Sequence, residues 1–261
     1  MKPQQLLLAC RVLAVRALVF GVLASFMMAP GAILAQKTGG DGFLFKRPTA
    51  SFSLRLGVGQ PGASGDLFDF VSSDLTVAKR DYLGTNFVAG VNLASSERLE
   101  IEATIGVSGR RVPSVYRDFV DNNDNEIEQE TLLQRVPLAL GLRLNLIPAG
   151  RRVSRLVWVP SRLVPYVSAG AGATRYLFRQ EGDFVNFNTD EIFTSRMVTK
   201  GWGPLGYVAT GLTWNIGGGG AGWTLEARYD MSHAGVSGDF VGFDPVSLSG
   251  IGITSGFIYR F

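Results

Sequence analysis

The sequence predicts an all-β fold, a closed antiparallel transmembrane β-barrel of about eight strands. Three observations predict it: repeated segments in which apolar residues alternate with small or polar ones, a short apolar segment near the amino terminus, and no later apolar run long enough for a transmembrane helix. Composition agrees with this class, because Gly is abundant at 33 residues and charged residues make up only 18% of the chain.

The amino-terminal residues, 1–35, predict a cleaved signal peptide. Basic residues precede an apolar run over 17–28, and small residues follow it up to Ala35. A run of this length is too short to cross a bilayer, which takes about 20 apolar residues. Cleavage after Ala35 would leave a short periplasmic segment, 36–48, and a barrel over 49–261. An uncleaved membrane anchor is the alternative.

Eight segments show the period of two that is typical of strands, and a helical period of 3.6 fits none of them. In the longest, the even positions from Leu138 to Leu146 are all leucine, and the odd positions are small or polar. The segment over 164–178 is rich in Gly and Ala, so its facing is left open. The predicted strands lie at about 51–59, 83–93, 99–108, 135–146, 164–178, 207–216, 223–231 and 250–261. Two strands hidden in a long loop would make ten.

The charged residues of these segments share one face, and the other face is nearly free of charge. We predict that the charged face lines the lumen and that the apolar face meets lipid, because an Arg at the bilayer midplane costs about 2–4 kcal/mol. Five basic and four acidic side chains would then pair across a narrow interior. This predicted lumen charge network comprises Arg55, Glu100, Glu102, Arg135, Arg143, Glu226, Arg228, Asp230 and Arg260. A soluble secreted β-protein, with its apolar face inward, is the alternative.

The connections between the predicted strands alternate in length, as they do in barrels with short periplasmic turns and long outer loops. The long outer connections are predicted at roughly 60–81, 110–130, 179–201 and 232–248, and short turns at 94–98 and 217–222. The basic connection over 147–163 is an exception on the periplasmic side. It would contact anionic lipid or a partner, or remain a solvated loop.

Three segments resemble strands of known barrels: residues 165–172, residues 225–229 and the ending Gly256-Phe257-Ile258-Tyr259-Arg260-Phe261. With them, the mature chain resembles small outer-membrane barrels of the outer-membrane protein A and opacity-protein kind from Gram-negative bacteria. The resemblance implies that Phe257, Tyr259 and Phe261 form the signal that the barrel-assembly machinery recognises, although Ser255 departs from the pattern. It also implies a place in the outer membrane, in contact with outer-membrane lipid and lipopolysaccharide.

One pair of residues suggests catalysis. His233 is the single histidine, and Ser232 precedes it. Some small outer-membrane barrels are lipid A deacylases or acyltransferases that use a His and a Ser. In the deacylases the pair is spaced His-any-Ser, and position 235 is Gly here. Because neighbours on a strand point to opposite faces, we predict that the chain is not an enzyme.

Neither a metal site nor a cofactor site is predicted. The segment from Asp121 to Glu126 partly fits a calcium loop, but Gly is missing from its sixth position and Leu132 replaces the bidentate Glu. Weak divalent-cation binding is the alternative to a solvated acidic loop. Gly217–Gly220 lacks the strand-to-helix context of a phosphate-binding loop. A single cysteine, Cys10, excludes an internal disulfide, and a net charge of +3 gives no case for nucleic acid.

These observations predict an outer-membrane barrel that acts as a structural or surface-interaction scaffold, for example in adhesion, through long extracellular loops. No surface ligand is identifiable from the sequence. A small porin-like channel is the second hypothesis, and a lipid-modifying enzyme is the third.

Overall fold

The computed structural model describes residues 38–39, 43–121, 124–186, 191–217 and 220–261. The predicted signal peptide and parts of the predicted segment 36–48 lie outside the described residues. The strands, in chain order, are β1 (Thr38–Gly39), β2 (Phe43–Leu44), β3 (Ala50–Pro61), β4 (Gly84–Ala94), β5 (Leu99–Val120), β6 (Glu126–Asn145), β7 (Gly150–Ser154), β8 (Val157–Pro160), β9 (Leu163–Val185), β10 (Ile192–Asn215), β11 (Ala221–Ala234), β12 (Val246–Ser247) and β13 (Gly250–Arg260). One α-helix, α1 (Asp66–Asp74), and two 3₁₀ turns, Lys79–Tyr82 and Gly238–Phe240, complete the described elements.

Eight of the described strands pair antiparallel in a closed ring. The order around the ring is β3, β4, β5, β6, β9, β10, β11 and β13, and β13 returns to β3. Tyr259 lies opposite Phe52 across that closure. The ring confirms the predicted closed antiparallel barrel and the smaller of the two predicted strand numbers.

Burial follows the predicted alternation through the ring. On β6, Arg135 and Arg143 are buried, whereas Leu140 and Leu142 are exposed on the outside. The facing that was left open for residues 164–178 is now settled: β9 turns Tyr166, Tyr176 and Phe178 inward. The large side chains of β9 thus fill the interior, and its alanines face out.

The outer surface carries an uncharged band of the height that a membrane requires. On β9 the outward residues from Leu163 to Ala173 are all uncharged. Ten residues at about 3.3 Å each, tilted by about 40°, rise about 25 Å, which matches the apolar band of a membrane barrel. Exposed Trp214 and Trp223 mark its periplasmic edge and Trp202 its outer edge. Among the described helical residues, none belongs to a helix long and apolar enough to span a membrane.

Four adjacent strands, β5, β6, β9 and β10, continue beyond this band, since each has 20–24 residues. The prediction of long loops at 110–130 and 179–201 is therefore wrong: both regions are mostly strand. The period of two was hidden there because the outward face is charged and not apolar once it leaves the membrane. Only inward residues such as Val112 and Tyr116 keep the apolar signal.

The remaining long connections fold back onto the barrel. Residues 62–83 contain α1, and residues 235–249 contain the second 3₁₀ turn. Both lie at the outer end, on the concave side of the extended strands. At the periplasmic end the basic connection forms the β7–β8 hairpin, whose Trp158 lies opposite Leu44 of β2. The interior is thus covered by folded elements at both ends.

Candidate functional site

The interior of the membrane-spanning part is filled by polar side chains that we call the lumen network. It comprises the nine predicted charged residues together with Thr104, Asn145, Tyr166, Tyr207, Thr213 and Asn215. All of them occupy the inward-facing positions of their strands, so the ring brings them together from seven different strands.

An ion pair between Arg55 and Glu226 lies at the centre of the lumen network. Each side chain is only 2% exposed. The Tyr166 hydroxyl donates a hydrogen bond to Glu226 at 2.9 Å. Because an isolated charge at this depth would be costly, each of these two charges compensates the other.

The periplasmic layer of the network is organised around Arg143. Its guanidinium lies 3.7 Å from Glu100, donates to the Thr213 hydroxyl at 2.7 Å and stacks 3.5 Å above the Tyr166 ring. The Asn145 amide donates to Glu100 at 2.8 Å. Below this group, Arg260 donates to the side-chain oxygen of Asn215. These contacts join adjacent strands of the ring or strands that have one strand between them.

The outer layer repeats the arrangement around Arg228. This arginine lies 2.7 Å from Asp230, donates to Thr104 at 3.1 Å and stacks 3.8 Å above the Tyr207 ring. The Tyr207 hydroxyl donates to Glu102 at 3.1 Å. A tyrosine thus links an arginine and a carboxylate in both layers.

Arg135, like Arg260, has no carboxylate partner among the described residues. It donates instead to the backbone carbonyl of Leu248. Leu248 belongs to the connection between β11 and β13, which folds inward. Arg135 therefore links the lumen network to the folded connection between β11 and β13.

Two glycines make room for the network tyrosines. A Cβ at Gly211 would collide with the ring of Tyr166, and one at Gly141 would collide with the hydroxyl of Tyr207. Glycine at these inward positions leaves room for each tyrosine close to the glycine backbone. The high Gly content of the strands is thus partly explained by the narrow lumen.

Replacing Gly211 with valine is expected to lower the free energy of unfolding by about 1–3 kcal/mol, because the ring of Tyr166 must move in a packed interior. Urea unfolding of the barrel in lipid vesicles measures the change. Gly206→Val on the same strand is the matched control, since Gly206 faces outward and its Cβ would meet only Met231 at 3.6 Å. Equal effects of the two substitutions would refute this packing role.

An apolar cluster, which we call the outer cap, closes the extracellular end. Phe68 of α1 packs edge-on against Tyr82 and Phe178, with ring centroids 5.7 and 5.5 Å apart. Phe178 in turn contacts Phe240 at 5.4 Å. The cluster also contains buried Ala63, Leu67, Val71, Leu75, Val77, Val112, Tyr116, Ile127, Leu133, Tyr176, Val185, Ala234, Val246 and Leu248. The inner faces of the extended strands thus form a second core with the folded connections.

The sequence of α1 suits its place in the outer cap. Leu67, Phe68 and Val71 share one helical face, and all three are buried. Asp66 and Asp69 stand in the first turn, where negative charge favours the helix dipole.

Hydrogen bonds attach the outer connections to the two free edges of the extended strands. Beside α1, the Thr76 hydroxyl accepts from the Val115 amide at 3.0 Å. On the other edge, the Asp239 carboxylate accepts from the Val198 amide at 2.8 Å.

Burial, reinforced by the carboxylate of Asp81, raises the pKa of Tyr82, so this phenol stays neutral at physiological pH.

A small sheet, which we call the inner plug, covers the periplasmic end. It contains β1, β2, β8 and β7 in that order. Leu44 and Trp158 are buried under the lumen. A Cβ at Gly150 would collide with the Trp158 indole, so glycine permits this close approach. Trp158 also faces a shallow cleft lined by Asn92, Glu100 and Arg260.

The residues that suggested catalysis lie apart. Ser232 is buried and faces inward, whereas His233 is exposed on the outer surface of β11. A nucleophile and its base must lie within hydrogen-bond reach, and these two side chains are separated by the sheet.

The acidic turn between β5 and β6 uses its carboxylate to close itself. Both oxygens of Asp121 accept hydrogen bonds from Asn125, at 2.8 and 3.0 Å. No group of three or more His, Cys, Asp or Glu side chains could hold a metal ion among the described residues. Residues 122–123 of the predicted acidic loop and residues 218–219 of the predicted glycine turn lie outside them. Gly217 and Gly220 have φ values of 65° and 76°, as tight turns require.

Two residues of the predicted assembly signal, Phe257 and Tyr259, lie on the last strand, and Phe261 directly follows it. Phe257 is exposed on the outer surface, and the rings of Tyr259 and Phe261 stack with centroids 6.4 Å apart. The Phe261 amide donates to the Ala50 carbonyl and so closes the ring at its periplasmic rim. Recognition of these residues by the assembly machinery stays a prediction.

Sequence reasoning missed the tyrosines as network members. Tyr166 lies in the segment whose facing was left open, and Tyr207 begins the predicted strand at 207–216. An inward tyrosine next to inward arginines was the available signal, because a buried phenol needs a polar partner. The sequence offered no signal for the bond from Arg135 to Leu248, since it depends on how an outer connection folds.

Comparisons with known proteins concern the fold alone. No protein-family model and no curated protein matches the chain in sequence. Among solved structures, OprG from Pseudomonas aeruginosa is 14% identical, with 82% of this chain and 97% of that chain covered and a TM-score of 0.46. Neisserial surface protein A is 11% identical, with coverages of 81% and 96% and a TM-score of 0.42. A major outer membrane protein from Thermus thermophilus is also 11% identical, with coverages of 81% and 99% and a TM-score of 0.40. Likeness at this level says nothing about function.

Proposed function

We propose that the chain is an outer-membrane β-barrel that acts as a rigid surface scaffold and does not conduct ions or solutes. The single observation that carries the proposal is the continuous filling of the interior by the inner plug, the lumen network and the outer cap. The uncharged outer band supports the membrane location, because closed barrels are the strand-built structures that cross a bilayer.

The filled interior argues against the porin-like alternative. An eight-stranded barrel is only wide enough to hold its own side chains. Here those side chains include Arg55 and Arg143, which hydrogen bonds and ion pairs hold in place inside the lumen. Water and ions would have to displace the lumen network, the inner plug and the outer cap, each of which is built from different segments of the chain.

The scaffold function rests on what the outer end presents. The extended strands rise a further ten residues on β9, from Arg175 to Val185, or about 25 Å at the same rise and tilt. Exposed apolar side chains such as Phe70, Phe193 and Val241 lie on this projecting part. A packed projection offers a partner a preorganised surface, which lowers the ordering cost of binding. Adhesion to a surface ligand is the role that such a projection supports.

The scaffold proposal includes the absence of catalysis. The separation of Ser232 from His233 by the sheet supports it. Cells that carry a variant of Ser232 or His233 would then contain the same lipid A as cells that carry the wild type. In a lipid-modifying enzyme, the same substitutions would abolish the modification and so change the lipid A.

Planar-bilayer recordings test the closed interior. We expect the refolded protein to give no unitary current steps, while a general-diffusion porin in the same bilayers does. A variant that lacks residues 36–48, and with them strands β1 and β2 of the inner plug, should also remain silent, because the lumen network and the outer cap still close the barrel. Reproducible steps from the intact protein would refute the scaffold proposal and favour the channel.

A further inference from the structure

A band of charged side chains surrounds half of the barrel just above the lipid-facing surface. We call it the outer-border band, and it consists of Arg111, Glu130, Arg175, Arg179, Glu181, Arg196 and Lys200. All of them occupy outward positions on β5, β6, β9 and β10. Arg175 and Lys200 are the first outward charges above the uncharged band on their strands.

The register of the strands places this band at the membrane border. Arg175 pairs directly with Trp202, whose exposed indole marks the outer edge of the apolar surface. Lys200 lies one step further out, opposite Leu177. Below them, the outward positions Ala173 and Pro204 are uncharged. The two cations therefore stand at the level of lipid headgroups in the outer leaflet.

The same register gathers three cations around Leu177. Lys200 of β10 lies directly across from Leu177 of β9. Arg175 and Arg179 flank Leu177 on β9, two residues before and after it, and are therefore the diagonal neighbours of Lys200. Direct cross-strand neighbours have Cβ atoms about 5 Å apart, and diagonal ones are about 7–8 Å apart, within reach of long side chains. All three cationic groups can therefore converge on one anionic group held above Leu177.

The charges of the band do not balance. Glu130 and Glu181 are shared in a chain of ion pairs that links Arg111, Arg179 and Arg196 at 2.9–3.8 Å. Five cations thus face two carboxylates. Among the described residues, neither Arg175 nor Lys200 has a carboxylate within 4 Å.

Asp239, in the connection between β11 and β13, lies beside β10 near this region. Its carboxylate already accepts a hydrogen bond from the Val198 amide. The excess of positive charge around Arg175 and Lys200 therefore faces outward at the membrane border.

We propose that Arg175, Arg179 and Lys200 bind a phosphate group of an outer-leaflet glycolipid. Arginine forms paired hydrogen bonds with phosphate, and lysine adds a point charge. Trp202 and the uncharged band lie at and below the level of Arg175, and Leu177 lies among the three cations, so the site joins a polar headgroup above to apolar chains below. That combination fits a phosphorylated lipid better than free phosphate. The inference rests on the proposed place in the outer membrane.

Native mass spectrometry of the full-length folded protein with diphosphoryl lipid A as the probe tests this site. We expect the wild type to retain lipid A and the double variant Arg175→Gln/Lys200→Gln to bind it about 20–30-fold more weakly, at roughly fivefold per cation. The control Arg151→Gln/Arg152→Gln removes the same charge from the exposed periplasmic hairpin and should bind as the wild type does. Unboiled gel migration verifies that each variant is folded.

Several outcomes would overturn the site. Equal affinity of the two double variants would show that the band does not bind lipid A. Equal retention of lipid A without its phosphates would show that phosphate is not the group recognised. Displacement of lipid A by millimolar inorganic phosphate would indicate a free-phosphate site and not a lipid site. Bilayer current steps, by contrast, would refute the scaffold function without bearing on these affinities.

Discussion

The Glu226→Gln variant is expected to lose about 3–5 kcal/mol of unfolding free energy, because the substitution leaves the Arg55 guanidinium buried without its counter-charge. Glutamine keeps the shape of the side chain, so the change isolates the charge. Both partners are 2% exposed, and water therefore screens little of their interaction. Urea unfolding in lipid vesicles, followed by the fraction of the faster-migrating folded band, measures the loss.

Two further variants make the test of the central ion pair specific. Arg55→Met/Glu226→Gln removes both charges and is expected to recover much of the loss, since a neutral replacement of a buried pair is often tolerated. Glu181→Gln removes a carboxylate that is 50% exposed and is expected to cost less than about 1 kcal/mol. A loss for Glu226→Gln no greater than that for Glu181→Gln would contradict the central role of the pair.

The Phe68→Ala variant is expected to destabilise the outer cap by about 3–5 kcal/mol while the barrel below it stays intact. Phe68 is 2% exposed and joins α1 to Tyr82 and Phe178, so its removal leaves a cavity at the junction of three segments. Local opening should then expose residues 62–83 to proteases. Limited proteolysis of the protein in vesicles, followed by fragment mass, detects the cleavage.

Phe70→Ala supplies the matched control for the outer cap. Phe70 lies on the same helix but is 44% exposed, so we expect little change in cleavage rate. Heat modifiability of both variants should persist, because the ring of strands does not depend on α1. Equal cleavage of the two variants, or loss of the barrel in Phe68→Ala, would contradict a separately folded cap.

The membrane-spanning strands were predictable because lipid enforces a sharp contrast between the two faces. Leu138, Leu140 and Leu142 can face only lipid, and Arg143 can face only the lumen, so the alternation fixes both the strand and its facing. The same contrast assigned the nine charged residues of the lumen network to one face. Their partners could not be read from the sequence, because which side chains meet across the lumen depends on register and tilt.

Outside the membrane that contrast disappears. Arg111 and Glu130 lie outward in water on strands that pair with each other, and their polarity suggested loops. The helix α1 spans only nine residues, too few for a clear helical period. The bond from Arg135 to Leu248 joins segments more than 100 residues apart. These features depend on tertiary packing and not on local pattern.

Gel migration of the protein from the outer-membrane fraction, with and without boiling, tests most directly whether the chain forms a closed membrane-spanning barrel. We predict a faster-migrating band in the unboiled sample that converts to the full apparent mass on boiling, because a closed ring of hydrogen-bonded strands resists detergent until it is heated. Identical migration of both samples, with the protein free in the periplasm or the medium, would contradict it. The same alternation would then have to describe a soluble barrel with its apolar face inward.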